Sequence, residues 1–440
     1  MEVKIISHSY LKPSSPTPPH LRYLKLSLLD QLMPAPYAPI VFFYNQVTAP
    51  MVPRLRESLS HILTQFYPLA GIIKDDLTID CNDAGFRYLE AQVNCHMNDF
   101  LTQPDLLMIH KFLPVDVHQA SGTHHTGNVQ INVFKCGGVA IGLCASHKIL
   151  DGVGLGVFMN AWAASARGEL SAIISPDFSS VSVFPTESSW LKEAASGMWG
   201  AMVKPGNFVT RRFLFDSASV AQLKDEVASS SKGRPTRVEA VSALLWKSFI
   251  KGSSRQRDGA LKASVMTHLV NLRRRVRKDT LPVTDQTLCN LLWMASAAVP
   301  AADIEPELSE LCEKVRASIA RVDNELVHKL RSDEAKAVVS ELCEGVTTST
   351  SDGSNVVGFT SWCKLGLYEA DFGWGRPVWI SSIGVKGCEW LNLVVLVDSR
   401  DGDGIEAWVS MDESDINALQ QDAEVRRFAS MDPSPLVCFC

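Results

Sequence analysis

Residues 129–168 read VQINVFKCGGVAIGLCASHKILDGVGLGVFMNAWAASARG, and this run limits the folds open to the chain more than any other. VQINVF and VAIGLCA have the composition of two strands, joined by Lys135, Cys136, Gly137 and Gly138, where the paired glycines supply the positive φ of a hairpin. A helix is expected over Val153 to Arg167, its small residues letting it lie close against the sheet. A buried hairpin running straight into a glycine-rich helix demands layers of sheet and helix.

The same mixture recurs along the chain. VPRLRESLSHILTQFY has helical spacing and is stopped by Pro68 and Gly71, while RRFLFD, NLVVLVD and IEAWVS read as strands, the last two joined by SRDGDG. SVAQLKDEVASS and RVEAVSALLWKSFI read as helices, the second opened by Pro235 and Thr236, and a long helical stretch is expected from Pro306 to about Val346. A last helix begins near Asp412 or Ser414. LKPSSPTPP near the start is proline-rich and irregular. At 440 residues the chain exceeds the roughly 250–300 residues that one core supports, so two α/β domains are expected. The pattern weakens between Glu169 and Arg211, which predicts a first domain over 1–185, a crossover loop over 186–210 and a second domain over 211–440.

Charge and cysteine content narrow the function. Charged residues make up 20% and the net charge is −6, so no global basic field favours nucleic acid or an acidic membrane surface. An anionic small molecule would need a local basic patch. The start, MEVKIISHSYLKPSSPTPPH, holds no apolar stretch of the length a secretory signal needs, and nowhere do eighteen uncharged apolar residues run together, which predicts a soluble, cytoplasmic protein. The 11 cysteines are odd in number, lack a C-x-x-C pair and lie partly in apolar runs, as Cys144 does; they read as reduced core residues.

SHKILDGVGLG, Ser146 to Gly156, is the chemical question. Gly152, Gly154 and Gly156 do not make a dinucleotide fingerprint, because Val157 stands where its third glycine belongs. His147 and Asp151 four apart could share a metal, but no partner cluster is visible. No G-x-S-x-G is present for a serine hydrolase, and His124 and His125 read as a solvated loop. A histidine general base remains: imidazole accepts a proton at neutral pH, given a ring held in one tautomer. H-x-x-x-D alone is a weak signal. DFGWG, Asp371 to Gly375, is a second landmark, on its own a tight packed turn.

Together, in this order and at this separation, the two motifs resemble the plant BAHD acyltransferases. LKPSSPTP with LSLLDQL, FYPLAG at Phe66 to Gly71, CNDAG at Cys81 to Gly85, NAWAASARG, and FTSWCKLGLYEADFGWG extend the resemblance over nearly the whole chain. The resemblance implies two chloramphenicol-acetyltransferase-like domains with mixed sheets and flanking helices, a late segment crossing to the first domain, and an active-site channel at their interface. Coenzyme A thioester enters from one face and the acceptor from the other. It also implies an acyl-coenzyme A-dependent O-acyltransferase moving acetyl from acetyl-coenzyme A to a hydroxyl of an alkaloid or terpenoid, acting as a monomer without metal. A larger acyl group, an amine acceptor, and a homologue that binds a metabolite without turnover are the alternatives.

By the same resemblance His147 is the base, and Asp151 points away from substrate to pair with Arg273. Asp371 is required, with its role open, in a turn supported by Gly373 and Gly375. Thr360 and Trp362 either stabilise the oxyanion or pack. Coenzyme A phosphates meet Arg274, Arg275, Arg277 and Lys278, or Thr236 and Arg237, unless these belong to solvated loops. Two positions depart from the family pattern: Cys289 precedes Asn290 where a glycine is usual, and Lys364 replaces an arginine, keeping charge but not a bidentate fork.

Overall fold

The computed structural model describes the chain except residues 35, 36, 46, 48–50, 116–123, 186–189, 230–232, 256–261, 278, 280, 282, 304 and 437–440, and the side chains of 51, 254 and 255. Among the described residues, two large mixed sheets face each other. The first orders its strands Val3–Leu11, Phe86–Val93, Gly127–Phe134, Val139–Ser146, Tyr37–Tyr44 and Trp379–Ser381. The second runs Leu292–Val299, Ser264–Asn271, Asn355–Ser361, Leu393–Asp398, Ile405–Asp412, Lys204–Phe215 and Lys386–Trp390, with Ser430–Met431 also paired to Lys204–Phe215. Trp379–Ser381 lies late in the chain, yet it pairs antiparallel with Tyr37–Tyr44 of the first sheet.

Apolar side chains explain why the sheets meet. Phe43 and Trp379 of the first sheet, with Phe112 beside them, pack with Val395, Val397 and Trp408 of the second sheet in one buried cluster. The rings of Phe43 and Trp379 stack at 5.2 Å and those of Trp379 and Trp408 at 5.7 Å. Glu406 is buried beneath them, and burial raises its pKa; it accepts the indole N–H of Trp379 at 3.2 Å and of Trp408 at 2.8 Å. Arg212 stands 3.6 Å from it and 4.9 Å above the Trp379 ring, so this buried charge pair also ties the two sheets. Separate cores fill the outer faces, one around Phe66, Phe158, Trp162 and Phe372, the other around Phe215, Leu244 and Trp246.

Two expectations are corrected, and one strand is added. Residues 190–210 are not a loop: they form the helix Trp190–Met202 and the start of the strand Lys204–Phe215. The helix buries Leu191, Ala195, Met198 and Met202 along one stripe, a helical period diluted to the eye by its alanines, serine and glycines. The helical stretch after Pro306 is three helices, Leu308–Ala320, Asn324–Leu330 and Ala335–Ser351, because Asp323 caps a new start by accepting from Leu326 N. VKIISHSYL forms the first strand, which has no counterpart among the expected elements; as an edge strand it is mostly exposed, and its apolar residues break alternation at Ile5 and Ile6, where the pairing register shifts.

The glycines of the helix Gly152–Arg167 do make room, but for a loop rather than for the sheet. A Cβ on Gly156 would stand 2.1 Å from the carbonyl oxygen of Leu365, and one on Gly152 2.6 Å from its Cδ1. Gly156→Ala should therefore lower stability by about 1–3 kcal/mol, the usual range for forced overpacking. Denaturant unfolding checks this, and an unchanged midpoint would show that the Leu365 loop is not held against the helix.

Candidate active site

His147 stands on the turn between the strand Val139–Ser146, buried at all eight positions, and the helix Gly152–Arg167. The turn is closed by Ile149 N donating to Ser146 O at 3.1 Å. Asp151 caps the helix, its Oδ1 accepting from Gly154 N at 2.9 Å. Its other oxygen takes the Arg273 Nη1 donor at 2.5 Å and Leu291 N at 3.2 Å. Both side chains of this ion pair are buried, and Arg273 also donates to Thr287 O at 2.6 Å and Cys289 O at 3.3 Å. Burial, the largest single influence, would lower the Arg273 pKa, but Asp151 together with Cys289 and Asp285 makes the net shift upward.

This clamp brings Asn290 against the histidine. Asn290 Nδ2 donates to His147 O at 2.6 Å and to Asp30 Oδ1 at 3.0 Å, and both of those oxygens are acceptors. The amide oxygen is thereby turned toward the ring, 2.9 Å from His147 Nδ1. An amide oxygen can only accept, so Nδ1 carries the proton and Nε2 keeps its lone pair. Asp30 is itself anchored in the capping box of the short helix Leu28–Leu32, receiving Ser27 N at 3.0 Å and Ser27 Oγ at 2.5 Å. Burial raises its pKa, with the Ser27 and Asn290 hydrogen bonds pulling the other way. Sequence reading missed both residues as site members. LSLLDQL holds a visible S-x-x-D capping signal, whereas Asn290 stands out only through the family pattern, as the residue after Cys289, with no role attached.

The imidazole opens on a chamber of about 290 Å³ whose walls come from both halves of the chain: Tyr37 and Leu155 from one, Phe359, Thr360, Trp362 and Met294 from the other. Asp151 and Gly152 form part of the wall. The loop behind Trp362 is clasped by one face of the helix Gly152–Arg167: Gly156 against Leu365, Asn160 Nδ2 donating to Gly366 O at 2.8 Å, and Arg167 donating to the carbonyl of Asp371.

Asp371 does not line the chamber. Its Oδ1 accepts Gly373 N at 2.8 Å and Gly375 N at 2.9 Å, and these glycines take φ values of +99° and +97°, which other residues rarely adopt. Phe372 is buried between Tyr44 and Trp162, and Tyr44 donates to Ala370 O at 2.8 Å. DFGWG is thus a self-braced turn, away from the imidazole.

The basic candidates divide. Thr236 and Glu239 form a capping box, Thr236 N donating to Glu239 Oε2 at 2.8 Å and Glu239 N to Thr236 Oγ1 at 3.2 Å. Arg237 is occupied by Asp398 at 2.9 Å and by the carbonyls of Gly402 and Gly404. Asp398 in turn receives Lys364 N at 2.7 Å, so Arg237 braces the loop instead of facing an anion. Arg274 is exposed and shares a cavity of about 410 Å³ with Arg167, Lys364 and Leu365, the last of which also walls the chamber. Arg275 is exposed outside that cavity, Arg277 pairs with Asp279 at 3.0 Å, and Lys278 lies outside the described residues.

Known proteins match this arrangement along the whole chain. The model of the Transferase family matches residues 1–426. An epi-neemfruitin B 7-O-acetyltransferase of Melia azedarach is 38% identical over 99% of this chain and 100% of its own. The crystal structure of vinorine synthase superposes with a TM-score of 0.79 at 30% identity, covering 98% of this chain and 99% of that one. TRI101 of F. sporotrichioides, solved with coenzyme A and T-2, shares the fold at a TM-score of 0.68 and 18% identity, covering 93% of this chain and 99% of that one. With its two facing mixed sheets and a family match of this extent, the chain belongs to the BAHD family of acyltransferases.

Proposed function

We propose that the chain transfers acetyl from acetyl-coenzyme A to a hydroxyl of a plant specialised metabolite, with His147 as general base. The 7-O-acetyltransferase relative supports acetyl as the group and an alcohol as the acceptor. The observation that carries the chemistry is the His147 tautomer: Asn290 holds the proton on Nδ1, leaving Nε2 for the acceptor. As Nε2 takes the hydroxyl proton, the alcohol oxygen bonds to the thioester carbonyl carbon. The tetrahedral species then expels the thiolate, which recovers the proton from the imidazolium. No covalent enzyme intermediate is needed, because both substrates reach one base.

Thr360 and Trp362 bring donor groups to the chamber wall, where a donor aimed at the developing oxyanion is worth about 2.7–4 kcal/mol. Coenzyme A is a co-substrate, and the exposed cations Arg274 and Lys364 beside Leu365 suit its phosphates. The late strand Trp379–Ser381 joining the first sheet supports two domains, 1–185 and 211–440, with the site between them. The protein works as a cytoplasmic monomer on small molecules, without metal, nucleic acid or membrane. Its acidic net charge favours that reading, and among the described residues no helix is long and apolar enough to cross a membrane. A metabolite-binding homologue without turnover would have no use for an imidazole held in the basic tautomer.

Release of free thiol from acetyl-coenzyme A in the presence of an alcohol library tests the activity directly. His147→Ala should cut turnover by roughly 10²–10⁴ while circular dichroism stays native, and wild-type rates in that variant would remove the general-base role. Asn290→Leu should lower kcat on the order of 10–100-fold and shift the pH–rate profile, since the ring loses its tautomer partner; an unaltered profile would count against that assignment. Asp151→Ala leaves Arg273 buried without its partner and should cost about 3–5 kcal/mol in stability as well as rate. A fully stable but inactive Asp151 variant would mean that the carboxylate acts on substrate.

A further inference from the structure

The charges around the chamber constrain the acceptor further. Besides His147, hydroxyl or carboxylate groups on its wall belong to Tyr37, Thr267, Thr360, Ser382 and Asp151, and indole N–H groups to Trp199, Trp362 and Trp390. The Asp151 carboxylate is wholly engaged by Arg273, Gly154 N and Leu291 N. Among the described wall residues, then, no carboxylate is available to neutralise a bound cation. Met33, Pro34 and Trp199 also line a second cavity of about 820 Å³, a vestibule beside the chamber.

The vestibule's charged groups are Asp75, Asp76, Lys148 and Lys192. Asp76 pairs with Lys192 at 2.7 Å, and Asp75 accepts Leu77 N at 2.9 Å; all three of these charged residues are exposed. Lys148, the residue after the histidine, is half-buried and its Nζ donates to Gln31 O at 3.1 Å, leaving two ammonium protons for other acceptors. Asp30 lies behind it, its carboxylate already taken up by Ser27 and Asn290. The charge set deepest in the vestibule is therefore positive.

We infer that the acceptor is an uncharged, largely apolar alcohol carrying a ketone, ester or ether oxygen that Lys148 binds, and that the site disfavours a protonated amine. This rests on the acyl-transfer reading above. An ammonium in the chamber would lose its hydration without gaining a carboxylate. The ring faces of Tyr37, Phe359 and Trp362 attract a cation, but by less than the hydration lost. It would also oppose the imidazolium that forms on His147 during transfer. Lys148 repels it in the vestibule. Asp75 and Asp76 can draw cations to the exposed rim, where solvent and salt screen them, and this affects encounter more than residence.

The test uses two polycyclic alcohols identical except that one ring position carries a ketone in one and a tertiary amine in the other. With the intact protein, kcat/KM from thiol release should favour the ketone at least about tenfold below the amine's pKa, and the gap should close as pH rises and the free base forms. Lys148→Glu should move the ratio toward the amine by a further tenfold or so, and Lys148→Met should raise KM for the ketone more than it lowers kcat. An amine preferred while protonated, or a ratio indifferent to both pH and Lys148→Glu, would overturn the inference. Equilibrium binding of the same pair to His147→Ala separates the two readings. Ketone preference there without thiol release by the wild type would sink acyl transfer and leave the acceptor class standing, whereas equal binding would sink the acceptor class alone.

Discussion

One buried carboxylate organises the site. Asp151 ends the strand and turn that carry His147, caps the helix that follows, and meets an arginine from the other half of the chain. Through Arg273 the same charge gathers the carbonyls of Thr287 and Cys289, so the segment entering Asn290 is drawn onto the histidine. Burying two charges is costly unless every donor and acceptor is met, and here the carboxylate accepts three hydrogen bonds. The pair's value lies in geometry: it puts residues from distant parts of the chain at hydrogen-bond distance from one imidazole.

The His147 ring depends on a second chain of contacts running the opposite way. Asp30, from the first thirty residues, accepts Asn290 N at 2.7 Å and Nδ2 at 3.0 Å, and the asparagine can then offer only its oxygen to His147. A carboxylate directly on the imidazole would stabilise imidazolium strongly, whereas a neutral amide fixes the tautomer and leaves the ring free to return its proton. That suits a reaction in which one base must take a proton from an alcohol and yield it to a thiolate within one turnover.

The sequence displays the parts of this site that are local and hides those that are not. The turn from Val139–Ser146 into a glycine-rich helix, the Asp151 position and the glycines of DFGWG are legible because strand period, capping and positive φ are set within a few residues. The Asn290 contacts with His147 and Asp30 span 143 and 260 residues, and no local pattern encodes them. Basic residues mislead for a related reason: Arg237 reads as an anion binder, yet the fold supplies Asp398 and two carbonyls that take up its donors. The helix Trp190–Met202 was hidden by composition, its buried stripe built partly from Ala195 among other small residues.

The conspicuous DFGWG turn gains a role once the path of the chain is followed. The strand Asn355–Ser361 delivers Thr360 to the chamber, Trp362 follows on its wall, and the chain then crosses from the second sheet to become Trp379–Ser381 of the first. Along that crossing the helix begun at Asp151 holds it at Gly156, Asn160 and Arg167, positions spaced to share one helical face. Asp371 accepts two glycine N–H groups at the last of these points and so fixes the direction in which the chain turns back. Loss of that carboxylate would loosen the wall carrying Trp362 and the strand that closes the first sheet, disturbing chemistry from a distance. In the proposed reaction its influence would be mechanical, exerted through the same helix that Asp151 caps.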